Sequence, residues 1–163
     1  MWKILAALIL FASVSGAQIY DKGNMGLGII IGGGSLEVDN KTQNYTIAGA
    51  SVDYFVIDNM SVGIGYMSWF GASPSLNQIT VPVHYYLPLD EKYRPYFGAF
   101  IRETLLESPY ESYESYGLKM GIAIKLSQKV FLGIGVVQEY YGSCDFQKEC
   151  SSAYPELVAT FAF

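Results

Sequence analysis

The sequence contains little charge. Of its 163 residues, 15% are Asp, Glu, Lys or Arg and 51% are hydrophobic, whereas soluble domains carry about 25% charged residues. The 15 acidic and 10 basic residues are dispersed and give a net charge of −5, which leaves no basic face for the phosphates of a nucleic acid. The length fits one domain. The low charge therefore requires either a very large core or a lipid environment.

Cysteine and histidine are also scarce. The two cysteines, Cys144 and Cys150, are close together, and the single histidine, His84, is far from both in the chain. These residues lack the number and spacing of ligands of a metal site, so neither a metal nor another cofactor is expected. Two nearby cysteines in a secreted chain instead predict one local disulfide, formed in an oxidising compartment.

No apolar run near the N-terminus is long enough to span a membrane as a helix. The run 4–12 has nine residues, while a spanning helix needs about 20. Lys3 precedes this run, and the small residues Ser15 and Ala17 follow it at the spacing that a signal peptidase requires. We therefore predict a cleaved secretory signal peptide at 1–17, in preference to a membrane anchor, and a barrel domain at 18–163.

Helical periodicity is absent after the predicted cleavage site. Apolar residues alternate instead with small or polar ones, as in β-strands that have one apolar face. Between 117 and 126, every even-numbered residue is apolar and every odd-numbered one is Gly, Lys or Ala. A bulge is predicted at glycines 32–34, where the alternation breaks. Eight strands are predicted, at 25–38, 44–56, 60–70, 77–88, 94–106, 114–126, 130–141 and 152–163.

The charged side chains decide between two kinds of barrel. Short turns alternate with longer loops, which fits an up-and-down membrane barrel but also a soluble lipocalin-type barrel. A soluble barrel has polar residues outside, whereas here the predicted inner face carries the charges. Its candidate lumen network comprises Asp53, Arg102, Lys119, Lys125, Glu139 and Glu156. Opposite charges in an interior this narrow are expected to pair and to fill it. The prediction is an all-β, eight-stranded antiparallel transmembrane barrel.

Aromatic spacing gives a second argument for a membrane. Three pairs of aromatic residues are nine positions apart, and nine steps of about 3.3 Å at a tilt of about 40° rise about 23 Å. The apolar band of a bacterial barrel is about 25 Å tall and is flanked by aromatic girdles. The pairs that we assign to these girdles are Tyr45 with Tyr54, Phe131 with Tyr140, and Tyr154 with Phe163.

The end of the chain resembles the assembly signal of bacterial outer-membrane β-barrels. Leu157, Ala159, Phe161 and Phe163 are apolar at every second position, and Phe163 is the last residue. The stretches 58–66 and 93–100 also match recurring patterns of this group, a turn before a Gly-alternating strand and Pro-Tyr-x-Gly-Ala. The whole mature chain resembles the small eight-stranded barrels of the OmpA-transmembrane, OmpX and opacity-like group.

The resemblance carries expectations about location and partners. It implies a bacterial outer membrane, with both termini periplasmic and with outer-membrane lipid and lipopolysaccharide around the wall. It also implies that the barrel-assembly machinery recognises Phe161 and Phe163. Some small outer-membrane barrels are lipid-modifying enzymes, and their chemistry uses a histidine at or near the outer surface of the barrel. Here the alternation places His84 in the lumen near the short turn 89–93, where we expect hydrogen bonds to its neighbours rather than lipid chemistry.

The most individual segment is the predicted loop 107–116, which repeats Glu-Ser-Tyr. Exposed tyrosines suit a recognition surface, so Tyr110, Tyr113 and the neighbouring Phe146 are candidate residues for a host or environmental surface ligand. The alternative is a solvated acidic loop whose lower tyrosines belong to the girdle. We expect a non-enzymatic surface protein that contributes to envelope integrity or adhesion. A small pore and a lipid-modifying enzyme are the alternatives.

Overall fold

The protein is a closed barrel of eight antiparallel strands. The computed structural model describes residues 19–38, 41–71, 76–106, 111–142 and 150–163. Each strand pairs with its neighbours in the sequence, and the first pairs with the last. The strands are β1 (Met25–Val38), β2 (Lys41–Ile57), β3 (Met60–Phe70), β4 (Leu76–Tyr86), β5 (Tyr93–Leu106), β6 (Tyr113–Lys125), β7 (Val130–Tyr141) and β8 (Ser151–Ala162). The predicted fold is confirmed, and the predicted strand ends differ from these by at most three residues.

The strands are staggered around the barrel. The stagger can be followed along a row of paired residues around the barrel. The row starts at Tyr96 of β5 and passes through β6, β7, β8, β1, β2, β3 and β4. It returns to β5 at Leu106, ten residues further along the strand. A stagger of this kind requires tilted strands, typically at about 35–45° to the axis. Among the described residues, no helix is long and apolar enough to cross a membrane.

The two ends of the barrel differ. We call one end the turn end, because it contains the short turns 58–59, 87–92 and 126–129, together with the start of β1 and the end of β8. The loop end contains the other four connections. At the turn end, Asn59 has a φ of 65°, which Asn tolerates better than most residues, and β2 is irregular between Phe55 and Ile57. Hydrogen bonds from the backbone N–H groups of Tyr93 and Lys92 lower the pKa of Asp90 and order the next turn.

The predicted bulge in β1 is wrong. Gly32, Gly33 and Gly34 pair in continuous register with β2, and Gly34 lies opposite Tyr45. A Cβ atom on Gly34 would lie 2.5 Å from the Tyr45 hydroxyl oxygen. The glycine therefore makes room for the Tyr45 side chain, and no extra residue is inserted into the strand.

The seam between β1 and β8 is only partly closed. β1 pairs with β2 along Met25–Val38, but its pairing with β8 covers only Gly26–Gly32. On β8, this pairing stops at Glu156, beside Pro155, which has no N–H to donate. Among the described residues, β1 and β8 form no pairs at the loop end beyond Gly32 and Glu156, so Gly33–Val38 and Ser151–Pro155 do not pair with each other.

The core lies inside the barrel, and the outer wall is apolar. Ile101, Met120 and Ile134 point outward and are 65%, 63% and 50% exposed. Two buried clusters occupy the bore. The larger is in the middle and towards the loop end, and the smaller, which contains Ile19, Tyr20, Phe55 and Phe131, closes the turn end. The alternation predicted from the sequence therefore assigns the two faces correctly.

Candidate functional site

The bore of the barrel contains buried polar side chains, among which Arg102 and Glu139 form an ion pair. Arg102 Nη1 donates to Glu139 Oε2 over 2.6 Å, and both side chains are 0% exposed. The hydroxyl groups of Ser115 and Tyr154 also donate to the Glu139 carboxylate, over 2.6 and 3.0 Å. Arg102 Nε donates to the Thr80 hydroxyl. The pair thus connects four strands, β4, β5, β6 and β7, to Tyr154 of β8.

A second ion pair lies further from the loop end. Lys119 Nζ donates to both carboxylate oxygens of Glu156, over 2.9 and 2.8 Å. Both cations lie over the ring of Phe100, with the Arg102 guanidinium carbon 4.6 Å and Lys119 Nζ 5.5 Å from the ring centroid. Four of the six residues of the predicted lumen network are therefore paired. The contacts between the Phe100 ring and the two cations are favourable cation–π interactions.

The other two residues of the predicted network do not join these pairs. Asp53 Oδ1 lies 3.8 Å from His84 Nδ1, too far for a hydrogen bond, and neither atom has a partner in the described part of the chain. Lys125 is half-buried at the end of β6, and no ion pair of it occurs within the described ranges. His84 does face the bore near the turn end, as predicted, and its Nδ1 has no hydrogen-bond partner among the described residues.

Above the ion pairs, towards the loop end, polar and aromatic side chains fill the bore. Trp69 Nε1 donates to Gln78 Oε1 over 2.7 Å, and Gln78 Nε2 donates to the Thr104 hydroxyl over 3.1 Å. The rings of Trp69 and Tyr45 are stacked, with centroids 4.3 Å apart. Gln78 and Thr104 are fully buried, so this layer excludes water as the ion pairs below it do.

At the turn end, a segment outside the barrel wall closes the bore. The backbone N–H of Asn59 donates to the carbonyl oxygen of Tyr20 over 2.7 Å. The Tyr20 ring lies 4.8 Å from the Tyr86 ring and 5.0 Å from the Phe131 ring, and the Arg94 guanidinium is 4.2 Å from its centroid. Burial raises the pKa of the Tyr20 phenol. We call residues 19–22 the N-terminal closure.

The N-terminal closure was not predicted from the sequence. The signal was present, because Ile19 and Tyr20 are large and largely apolar and lie two and three residues after Ala17, the predicted cleavage site. Between the closure and the Lys119–Glu156 pair lies a cavity of about 60 Å³, whose lining includes Asp53 and His84. A volume of this size holds a few water molecules.

The predicted aromatic girdles are wrong in one member of each pair. Tyr45, Phe131 and Tyr154 are buried in the bore, while Tyr54, Tyr140 and Phe163 are exposed on the outer face. Side chains alternate along a strand, so two residues an odd number of positions apart point to opposite faces. An outer aromatic contact does occur between neighbouring strands, where Tyr116 and Tyr140 stack with centroids 5.8 Å apart.

The predicted surface residues lie only partly within the described chain. Tyr110, Cys144 and Phe146 are outside the described residues, so the disulfide with Cys150 and the binding loop stay predictions. Tyr113 is not a loop residue, because it begins β6 and its ring contacts the Tyr141 ring edge to face at 5.7 Å.

The predicted assembly residues lie at the seam. Phe161 and Phe163 point outward at the turn end, where Phe163 exchanges backbone hydrogen bonds with Met25. The last residues of the chain thus close the barrel against the start of β1, and their aromatic side chains remain available on the outer face.

The structure is similar to known bacterial barrels. It resembles the N-terminal β-barrel domain of OprF from Pseudomonas aeruginosa with a TM-score of 0.67 and 13% identity, covering 87% of this chain and 98% of that one. Neisserial surface protein A gives a TM-score of 0.65 and 15% identity, with 86% and 96% covered. A de novo designed transmembrane β-barrel gives 0.51 and 15%, with 88% and 96% covered.

No protein-family model matches the sequence, and no curated protein matches it. At the identities found, the likeness shows the fold alone. This fold is the eight-stranded transmembrane β-barrel of outer-membrane proteins.

Proposed function

We propose that the chain is an outer-membrane surface protein with a closed bore, which acts through its loop end in adhesion or in maintaining the envelope. Both termini of the barrel are at the turn end. If that end is periplasmic, as the resemblance implies, the loop end faces the exterior. The wall is then surrounded by outer-membrane lipid and lipopolysaccharide, which suits its exposed apolar side chains.

The observation that carries this proposal is the complete burial of the Arg102–Glu139 pair. An open aqueous pore would leave these charges accessible, yet both side chains are 0% exposed. Together with the Trp69 layer and the N-terminal closure, the pair leaves no described passage along the bore. A barrel that does not conduct acts through its surface, and the loop end is the end that this proposal places outside the cell.

Planar-bilayer recording tests the closed bore. We expect the purified protein to show no stable conductance, and also expect none after deletion of residues 19–22, since the ion pairs remain. Large, stable conductance of the intact protein would contradict the proposal. Conductance confined to the deletion variant would support the alternative of a gated pore, which the cavity lined by Asp53 and His84 favours.

The position of His84 opposes the alternative of a lipid-modifying enzyme. His84 faces the bore near the turn end, so an acyl chain in the outer leaflet would have to pass through the barrel wall to reach it. General acid–base catalysis requires hydrogen-bond contact with the reacting group. Mass spectrometry of lipid A from a deletion strain tests this, and we expect an unchanged spectrum.

Attachment of whole cells tests the loop end. Substitution of the candidate binding residues, Tyr110→Ser with Phe146→Ser, should weaken attachment without lowering the amount of barrel. Tyr116→Ser is the matched control, because Tyr116 is an exposed tyrosine of the outer wall. Equal attachment by all variants would remove the adhesive part of the proposal, and detergent sensitivity of a deletion strain then tests the envelope role.

A further inference from the structure

We propose that the cavity between the N-terminal closure and the Lys119–Glu156 pair, which we call the turn-end cavity, binds a small alkylated ammonium ion. The ion lies beside the Asp53 carboxylate and among aromatic rings. This site is inside the bore, at the opposite end of the barrel from the loops of the proposed function. The inference therefore goes beyond that function and does not depend on it.

The size of the turn-end cavity limits the ligand. Its volume is about 60 Å³, and a single water molecule needs about 10–15 Å³ by a measure of this kind. The cavity therefore has space for about four or five non-hydrogen atoms. Tetramethylammonium, a nitrogen that carries only methyl groups, is of this size.

The charges around the cavity favour a cation. Asp53, Lys119 and Glu156 line it, but Lys119 Nζ already donates to both carboxylate oxygens of Glu156. In the described chain, the Asp53 carboxylate accepts a hydrogen bond from Ser51 Oγ over 3.2 Å, and it forms no ion pair with a lysine or an arginine. A carboxylate in a narrow bore is costly without a cation. A positively charged ligand in the cavity lowers this cost.

His84 is the described residue that competes with such a ligand. Its Nδ1 lies 3.8 Å from Asp53 Oδ1, and its ring carries a charge only when it is protonated. A charged donor in contact with a carboxylate is about 2.7–2.9 Å from it. The two side chains are therefore neighbours without a hydrogen bond between these atoms, and the Asp53 charge is left for a ligand.

The rings around the cavity favour an alkylated cation. Five aromatic side chains line the cavity and contact one another, with centroids 4.8–5.8 Å apart. They are Tyr20, Phe55, Tyr86, Tyr96 and Phe131. Aromatic cages recognise quaternary ammonium groups, because the negative faces of the rings attract the cation. Methyl groups also suit this lining, since they need no hydrogen-bond acceptors.

The barrel already holds its own buried cations in this way. Arg94 lies over the Tyr20 ring, and Arg102 and Lys119 lie over the Phe100 ring, at 4.2–5.5 Å from the centroids. A metal ion fits less well, because the described residues contain no group of three His, Cys, Asp or Glu side chains that could hold one. Rings with one free carboxylate thus point to an organic cation.

The ligand enters the cavity from the turn end. On the side of the loop end, the ion pairs and the Trp69 layer fill the bore, whereas the N-terminal closure covers the other side. The closure is attached to the turn 58–59 by two hydrogen bonds, from the backbone N–H of Lys22 to Asp58 Oδ1 over 2.9 Å and from that of Asn59 to the Tyr20 carbonyl oxygen over 2.7 Å. Neither bond belongs to the strand pairing, so the closure can move while the barrel stays closed.

Ligand-observed NMR of the purified barrel in a maltoside detergent tests the proposal, because this detergent contains no ammonium group. The probe is tetramethylammonium. The comparison solutes are tert-butanol, which is neutral and of similar size, tetrapropylammonium, which exceeds the cavity, and phosphocholine, the soluble headgroup of a lipid. We expect saturable binding of the probe and at least about tenfold weaker binding of each comparison solute. Because a ligand of about five atoms binds at best with micromolar affinity, the titration covers micromolar to millimolar concentrations.

Variants locate the binding in the cavity. Asp53→Asn keeps the shape of the side chain but removes its charge, so affinity should fall at least about tenfold. Glu91→Gln is the matched control, because Glu91 is an exposed carboxylate of the turn 87–92 at the same end, and it should bind like the wild type. Gly133→Val fills the cavity and should lower affinity by a similar factor. A Cβ at Gly133 meets no atom closer than 3.5 Å, so this variant keeps the proposal testable if Asp53→Asn fails to fold.

Three results would contradict the proposal: no saturable binding of tetramethylammonium, equal binding of a comparison solute, or binding that neither Asp53→Asn nor Gly133→Val weakens. Binding that appears only after His84→Gln would also contradict it, because protonated His84 would then already supply the cation. Conductance and cell attachment are measured without this ligand. A failure of this inference is therefore distinguishable from a failure of the proposed function.

Discussion

Replacing Arg102 with methionine is expected to destabilise the barrel by about 3–5 kcal/mol, the cost of breaking a buried ion pair from one side. Both Arg102 and Glu139 are fully buried. After the substitution, the Glu139 carboxylate keeps the hydroxyl donors of Ser115 and Tyr154 but loses its cation. Two neutral hydrogen-bond donors do not offset the free energy of hydration that a carboxylate loses on burial.

The double variant Arg102→Met with Glu139→Met distinguishes the cost of leaving one charge unpaired from the contribution of the whole ion pair to stability. Replacement of a whole buried pair by apolar residues of similar volume is often neutral, or stabilising by about 1–4 kcal/mol. The double variant should therefore recover most of the loss. This difference between the single and the double variant identifies the stranded charge, rather than lost packing, as the cause.

Guanidinium unfolding in lipid vesicles measures these free energies, with the fluorescence of Trp69 as the probe. Trp2 lies in the predicted signal peptide, so Trp69 is the one tryptophan of the mature chain. Lys125→Met is the control, since Lys125 has no ion pair within the described ranges, and its effect should stay within about 0.5 kcal/mol. A loss below about 1 kcal/mol for Arg102→Met would refute the reasoning, because it would mean that water reaches Glu139.

Four further changes test other parts of the structure. Tyr20→Ala should cost about 3–5 kcal/mol, whereas Tyr20→Phe should cost nothing, since the hydroxyl has no partner among the described residues. Because burial raises the pKa of Tyr20, wild-type stability should fall as pH rises above about 10, the pKa in the unfolded chain, and the Phe variant should show a smaller fall in pH titrations of unfolding. Gly135→Val should cost about 1–3 kcal/mol in the same assay, because its Cβ would overlap the Tyr96 hydroxyl oxygen. Phe163→Ser should leave signal cleavage intact but lower the amount of folded barrel, as read from heat-modifiable gel mobility. Protease added to intact cells should cut within 107–110, and cutting only after permeabilisation would reverse the proposed orientation.

The strands and their two faces could be predicted because alternation is a local property. Leu118, Met120 and Ile122 point outward, and Lys119 between them points inward, as their positions in the sequence require. The girdle prediction failed against the same rule. The distance between Tyr45 and Tyr54 along the strand was correct, but two side chains nine positions apart point to opposite faces of the sheet.

The partners of the buried charges could not be predicted, because they depend on the stagger of the strands. Arg102 lies on β5 and Glu139 on β7, which are not neighbours in the wall, and their side chains meet across the bore. Lys119 of β6 reaches Glu156 of β8 in the same way. Charge balance on the inner face is visible in the sequence, but the ten-residue shift that sets the heights of these side chains is a property of the closed barrel.

The N-terminal closure follows from the small residues on the inner face near the turn end. Gly65, Ala123 and Gly133 are among the wall residues that line the cavity there, so the wall leaves space at this level that larger side chains could fill in an eight-stranded barrel. Ile19 and Tyr20 supply the missing volume from outside the wall, and both are 4% exposed. Replacing Ala123 with leucine should therefore compete with Tyr20 for the same space. In that variant, residues 19–22 should become accessible to protease, while the wild-type segment stays protected. Equal protection from protease in both proteins would show that contacts with Asn59 and Arg94, rather than packing into the bore, keep the N-terminal closure in place.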